Sequence, residues 1–247
     1  MDIPMGHNPL FGKWFLTDVI HALERYGLIV EGDKVCVALS GGKDSVTLTY
    51  VLWYLKNYSH LQFDVCAVHV KIDEYDTAPL REYCEKLSVE YIETPLKVDL
   101  RAYPRSPCHV CSSFKRGAIG EALEGRGVRK VAFGHHADDA AETFLMNIAY
   151  NRRLASLTPK VMVPEGSFEI IRPMVYLPGP TVKRLHNHLR LPVLDYLCPH
   201  GEKSAREVMR TAIARIEETA ELREFSRMVV DALENVDYSS LWPSLRV

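Results

Sequence analysis

The stretch "KVCVALSGGKDSVTLTYVL", Lys34 to Leu52, decides how the chain is read. A short apolar run ends in Ser40-Gly41-Gly42-Lys43-Asp44-Ser45, and a second apolar-rich run follows at once. A turn alone needs one glycine; two in succession suit a backbone that a ligand must approach closely. The first run has the length and composition of a strand buried on both faces. The second, "DSVTLTYVLWYLKNY", has the length of a helix. "SGGK" is then a strand-to-helix turn, which in open α/β sheets lies beside the ligand crevice. Gly41 and Gly42 put no Cβ in the way of an oxyanion, and the N–H groups of a first helical turn favour an anion by about 0.3–1 kcal/mol. Ser40 and Ser45 add hydroxyls and Lys43 a point charge. The pattern asks for phosphate.

The rest of the chain repeats the alternation. "FGKWFLTDVIHALERYGLI" has apolar residues at Phe15, Val19, Ile20, Leu23 and Tyr26, a helical spacing. "FDVCAVHVKI", "EYIETPLKV", "RKVAFGHH" and "FEIIRPMVY" read as strands. "TAPLREYCEKLS", "CSSFKRGAIGEALEGRG" and "ADDAAETFLMNIAYNRRLAS" read as helices between them. This predicts an α/β fold: a parallel sheet of about five strands with helices on both faces, followed by a C-terminal helical extension. The expected parts are an N-terminal helical segment over 1–30, the α/β domain over 31–180 and a helical part over 181–247. In the last part Val208, Met209, Ala212, Ile213 and Ile216 are expected to share a packed face.

Composition narrows the function classes. A chain of 247 residues, 47% hydrophobic, can bury a substantial core. With a net charge of −2, any nucleic acid must meet a local patch and not a global field. No apolar run approaches the ~20 residues of a membrane span, and the first residues carry no signal-peptide pattern, so the expected setting is cytoplasmic without a membrane partner. Six cysteines in such a chain point to reduced thiols with ligation or chemistry in view.

Those cysteines divide. Cys36, Cys66 and Cys84 lie among apolar neighbours and read as buried small hydrophobes. Cys108 and Cys111 form a C-x-x-C in "PCHVC", expected to precede a helix beginning near Ser112, whose N-terminus would stabilise a thiolate. Alone that pair fits a redox dithiol, half a zinc site or cluster ligands. Cys198, in the loop "DYLCPHG", is a third candidate. Three thiolates suit iron–sulfur better than closed tetrahedral zinc, and a [4Fe–4S] cluster so held keeps one iron open.

"SGGKDS" does not satisfy the Walker A pattern, because Asp44 follows Gly42-Lys43 and position 37 is valine. It resembles the PP-loop of the ATP pyrophosphatases, which cleave ATP to AMP and pyrophosphate. "GHHADDAAET", Gly134 to Thr143, resembles the corresponding segment of PP-loop enzymes acting on tRNA. The order SGGKDS, C-x-x-C, GHHADD and a late single cysteine before a basic helix resembles the TtcA group of tRNA thiolation enzymes over most of the chain. The run after Cys198 differs from the "CGSQ"-like run of bacterial members.

By this resemblance Ser40, Gly41, Gly42, Lys43, Asp44 and Ser45 bind the pyrophosphate end of ATP. Val68 and Val70 lie where adenine is held by main chain, and Gly134 and His135 lie against AMP. Asp138 and Asp139 sit near the reacting phosphate and Mg2+, and Cys108, Cys111 and Cys198 ligate a [4Fe–4S] cluster. Lys43, Asp44, Asp139 and the three cysteines carry the implied catalysis: adenylation of a pyrimidine carbonyl of tRNA, then replacement of its oxygen by sulfur. The implied type is 2-thiocytidine synthesis, with sulfide or a cysteine desulfurase as sulfur donor and a lean toward a homodimer. Arg152, Arg153 and Lys160 are the candidate RNA contacts; the other basic residues, Lys183, Arg184, Lys203, Arg206 and Arg210, read as solvated helix faces. The alternatives are 2-thiouridine synthesis, a lysidine synthetase-like ligase, a persulfide carrier on Cys108 or Cys111, and a non-enzymatic ATP- and Fe–S-binding redox sensor.

Overall fold

The computed structural model describes residues 3–98, 107–163, 167–194 and 205–242, without the side chains of 107–109. β1 (Lys34–Ala38) forms where expected, with Val35, Cys36 and Val37 wholly buried. It pairs in parallel with β2 (Asp64–Lys71) on one side and β4 (Lys130–Ala132) on the other. β3 (Glu90–Pro95) extends the sheet beyond β2. β6 (Glu169–Ile171) pairs in parallel with β4 and antiparallel with the edge strand β5 (Lys160–Met162). The order is β3-β2-β1-β4-β6-β5. The chain therefore runs outward from β1 to β3, then crosses back to β4, and the reversal leaves a crevice at the carboxyl ends of β1 and β4.

The sheet holds one more strand than expected. β5 was not legible because its three residues are all exposed and carry no burial pattern. β6 is shorter than the nine-residue run "FEIIRPMVY", because Pro173 has no N–H to give to a ladder.

Helix α2 (Lys43–Tyr58) is buried all round from Ser45 to Leu55. The sheet covers one side and α6 (Gly179–Leu189) another. The N-terminal segment caps a third, through Phe11 and Phe15 and through hydrogen bonds from Tyr50 to the Pro4 carbonyl (2.8 Å) and from Tyr54 to that of Asn8 (3.1 Å). That segment enters α1 (Thr17–Tyr26) through a π-helical turn, and Gly27 ends it in the left-handed conformation that glycine adopts without strain. α3 (Ala78–Lys86) follows expectation, but α4 (Pro107–Leu123) starts earlier than Ser112. Proline is pre-organised for a first helical position, so the C-x-x-C lies inside the opening turns of the helix and not before it.

α5 (Ala137–Asn151) carries the C-terminal helices α7 (Ala205–Thr219) and α8 (Phe225–Glu234), with Ala141, Ile213 and Val229 at their shared core. The buried line of α7 is Met209 and Ile213; Val208, expected on that face, is 56% exposed. No described helix is long and apolar enough to cross a membrane.

The two turns flanking the crevice touch. A Cβ on Gly134 would stand 2.8 Å from the Asp44 carbonyl carbon and 2.9 Å from the Ser45 nitrogen. Gly117, in α4, has nothing within 4 Å. Gly134→Ala should therefore destabilise the fold by about 1–3 kcal/mol through forced backbone separation, while Gly117→Ala should stabilise it by about 0.5–1 kcal/mol. Urea unfolding of both variants checks the contrast.

Candidate active site

The loop after β1 is organised by its two serines. The Ser45 hydroxyl donates to the Gly42 carbonyl (3.0 Å) and accepts from the Ser40 N–H (3.1 Å). The two hydroxyls lie 3.0 Å apart. Gly41 has φ +86°, a conformation that strains any other residue, and its carbonyl accepts from the Leu194 N–H (3.0 Å). Lys43 opens α2 and pairs with Asp44 at 2.5 Å.

One missed residue fixes this loop to β2. His69 is buried in the apolar run of β2; its Nδ1 meets the Leu39 carbonyl at 2.7 Å and its Nε2 the Tyr75 hydroxyl at 2.9 Å. Burial holds its pKa below the ordinary histidine value. A lone histidine inside a strand of valines was the available signal.

The turn after β4 completes the crevice. The His136 N–H donates to Asp139 Oδ2 (3.0 Å), closing the start of α5. His136 Nε2 stands 3.6 Å from Asp44 Oδ1 and 3.6 Å from Asp139 Oδ2, so it bridges the two turns. Among the described residues its buried Nδ1 has no hydrogen-bond partner. Asp138 turns away and accepts from the Gly179 N–H at the start of α6 (3.1 Å). Arg206 reaches back from α7 to Asp139 (3.0 Å), and Arg210 to the buried Glu142 (2.9 Å). These two arginines, read from sequence as a solvated face, are instead paired with the acids of α5. Burial pushes the Asp139 pKa up, but His136, His135, the His136 N–H and Arg206 outweigh it and hold the carboxyl below its usual range.

Between the turns lies a cavity of about 390 Å³. Ser40, Asp44, Ser45, Val68, Val70, Gly134, His135 and Asp139 line it, all singled out from sequence. Gly41, Gly42 and Lys43 belong to the adjoining loop. Sequence reasoning missed Tyr75, Lys115, Ile119 and Phe133 on the same wall. Lys115 is one helical turn beyond Cys111, which is half-buried against the apolar cluster of Val68, Val70 and Ile119. Cys108 occupies the first turn of α4, but its side chain, like the whole of Cys198, lies outside the described residues. Among the described residues no three His, Cys, Asp or Glu side chains converge as a metal site. Cys36, Cys66 and Cys84 are fully buried, and burial pushes the Cys84 thiol up to about 12.

Arg152 and Arg153 are exposed at the far end of α5, and Lys160 is exposed on β5. The eleven-residue rise from Asp139 to Tyr150 spans about 16 Å, so Arg152 and Arg153 stand away from the cavity.

His135 gives the site a pH signature. Burial, reinforced by Arg172, Arg206 and His136 against the opposing pull of Asp139, pushes its pKa down to about 4. An unfolded histidine titrates near 6.5. Between those values the unfolded chain binds the extra proton, so stability falls on acidification. The slope from this group reaches at most about 1.4 kcal/mol per pH unit. His135→Gln should flatten the pH dependence of urea unfolding in that window; an unchanged slope would show that His135 is already charged there.

Comparison with known proteins agrees with this geometry. Residues 16–215 match the PP-loop domain family. A tRNA-cytidine(32) 2-sulfurtransferase of Alkalilimnicola ehrlichii is 34% identical over 229 residues, 90% of this chain and 72% of that protein. That of Pseudomonas entomophila is 32% identical, covering 89% of this chain and 82% of its own length. The fold superimposes on the U34-tRNA thiolase NcsA of Methanococcus maripaludis, solved with its [4Fe-4S] cluster, with a TM-score of 0.70 at 22% identity, over 95% of this chain and 84% of that one. With its signature loop, its paired turns and these relatives, the chain belongs to the PP-loop family, alongside the tRNA-cytidine(32) 2-sulfurtransferases.

Proposed function

We propose that the protein is an ATP-dependent tRNA sulfurtransferase that converts a cytidine of tRNA to 2-thiocytidine. The observation that carries this is the convergence of the Ser40–Ser45 loop and the Gly134–Asp139 turn on one cavity, with the C-x-x-C helix forming part of its wall. Loop N–H groups, the serine hydroxyls and Lys43 receive the β- and γ-phosphates; Val68 and Val70 flank adenine, and Gly134 and His135 meet the AMP moiety. Asp44 and Asp139 present carboxylate oxygens, the donor type Mg2+ takes.

The cytidine C2 oxygen attacks the α-phosphorus, and the bond to pyrophosphate breaks. Lys43 stabilises the charge that develops on the leaving group, an electrostatic effect typically worth 10²–10³ in rate. Sulfur then adds at C2 and the C–O bond breaks, releasing AMP with the original oxygen. Cys108, Cys111 and Cys198 would hold a [4Fe–4S] cluster, whose open iron would supply the sulfide.

The fit rests on the chain's path. Leu194 is tied to Gly41 and Arg206 to Asp139, so the described residues on either side of Cys198 in sequence stand at the two turns that flank the cavity. We read residues 1–30 as a helical cover, 31–180 as the ATP-binding domain and 181–247 as the part bringing the third cysteine. Exposed Arg152, Arg153 and Lys160 contact tRNA phosphates. The sulfur comes as sulfide or from a cysteine desulfurase, in the cytoplasm, and the assembly is a homodimer.

Nucleoside mass spectrometry of hypomodified tRNA, incubated anaerobically with cluster-reconstituted protein, Mg-ATP and sulfide, tests the reaction. The expected result is an oxygen-to-sulfur mass change on cytidine; the same change on uridine, or a lysine adduct when lysine is present, would replace this reading. Lys43→Ala should lower turnover by about 10²–10³. Cys108→Ala, Cys111→Ala and Cys198→Ala should each abolish cluster absorbance and thiolation while Cys84→Ala spares both.

A further inference from the structure

Arg172, at the carboxyl end of β6, is 6% exposed. Among the described residues no carboxylate lies within ion-pair distance of its guanidinium. A buried cation so placed is expensive, and its contacts are specific. Its Nε donates to His135 Nδ1 at 3.3 Å, and its Nη1 donates to the Thr158 carbonyl at 2.5 Å. Its own N–H donates to the Pro159 carbonyl at 2.9 Å. The guanidinium therefore spans from the segment 158–159 to a ring on the cavity wall.

An arginine has donors only. His135 Nδ1 must then be the acceptor, which leaves the ring neutral with its proton on Nε2. Stacking on Phe133, with ring planes 3° apart and centroids 5.8 Å apart, holds the ring's orientation. The cation next to Nδ1 also opposes a second proton, as do Arg206 and His136; Asp139 favours one. We propose that Arg172 is a positioning residue that locks His135 as a neutral imidazole with its Nε2–H available to the cavity. The site thereby offers a fixed hydrogen-bond donor to a ribose or phosphate oxygen of the nucleotide. That use of the donor rests on the ATP-binding reading above; the tautomer does not.

The test is long-range 1H–15N spectroscopy of the full chain labelled at histidine, with His135 identified by the signal missing from His135→Gln. At pH 7 the expected His135 pattern is a single Nε2–H tautomer with an accepting Nδ1. Arg172→Met should release a mixture of tautomers, and Arg172→Lys, which keeps a donor, should retain the wild-type pattern. ATP affinity by calorimetry should weaken about tenfold in Arg172→Met, the loss of one positioned hydrogen bond. An imidazolium or an Nδ1–H form in the wild type overturns the proposal even where Arg172→Met fails to fold, and so does a wild-type pattern in Arg172→Met. If the tautomer is as expected and the wild type binds no ATP, the nucleotide reading fails and the positioning role stands.

Discussion

The close approach of Gly134 to the peptide between Asp44 and Ser45 is the constraint from which the site follows. β1 and β4 are neighbours, so the turns that leave them must share the space above the sheet. Only a residue without a Cβ lets the second turn settle against the first. Once it does, α2 and α5 begin side by side, and the positive ends of two helices face one cavity. Asp44 and Asp139 partly offset that field while His136 bridges them. A polyphosphate with a divalent cation matches this balance better than either a bare anion or a bare metal would. The helix ends attract the anion, and the carboxylates attract the cation.

The C-terminal helices are coupled to this arrangement through charge as well as packing. Glu142 is buried and takes both Arg206 and Arg210, and Arg206 also reaches Asp139. Removing one partner of a buried pair leaves an uncompensated charge, which costs more than the pair itself contributes. α7 is therefore held in register with the first turns of α5. On the N-terminal side of Cys198 the Leu194 N–H donates to the Gly41 carbonyl. Leu194 and Arg206, the described residues that flank Cys198 in sequence, are thus tied to the same two turns. In the proposed reaction this ties sulfur delivery to an assembled nucleotide site without a separate gating element.

Much of this was legible in the order of residues, for physical reasons. Strands buried on both faces write themselves as continuous apolar runs, and β1, β2 and β4 were found that way. "SGGKDS" announced its turn because paired glycines tolerate both a positive φ, as at Gly41, and the close approach of a ligand. What escaped was set by tertiary contacts. β5 has exposed side chains only and exists because Ile170 and its neighbours offer a free edge. α4 begins at Pro107, one turn before the cysteines suggested, since proline costs nothing at a first helical position. Asp138 and Asp139 are adjacent in sequence, yet one serves the start of α6 and the other the cavity. His69 and Arg172 each looked like an isolated polar residue in an apolar run. Their roles come from what lies across the sheet, which no local pattern contains.

Two of the proposed tRNA contacts, Arg152 and Arg153, lie at the other end of the same helix that builds the site. α5 starts at the cavity with Asp139 and ends about 16 Å away at exposed Tyr150, Arg152 and Arg153, with exposed Leu154 beyond. An overall charge of −2 gives no long-range attraction for RNA, so affinity must come from such a local group. Exposed arginines beside an exposed tyrosine are the combination that grips an unpaired loop, by phosphate contact and by stacking on splayed bases. On that proposal, the helix between the group and the cavity would fix the distance between a bound backbone and the reacting base. Base choice would then be set partly by this spacing and not by edge recognition alone, because only a nucleotide at the right remove from the contact can enter the cavity.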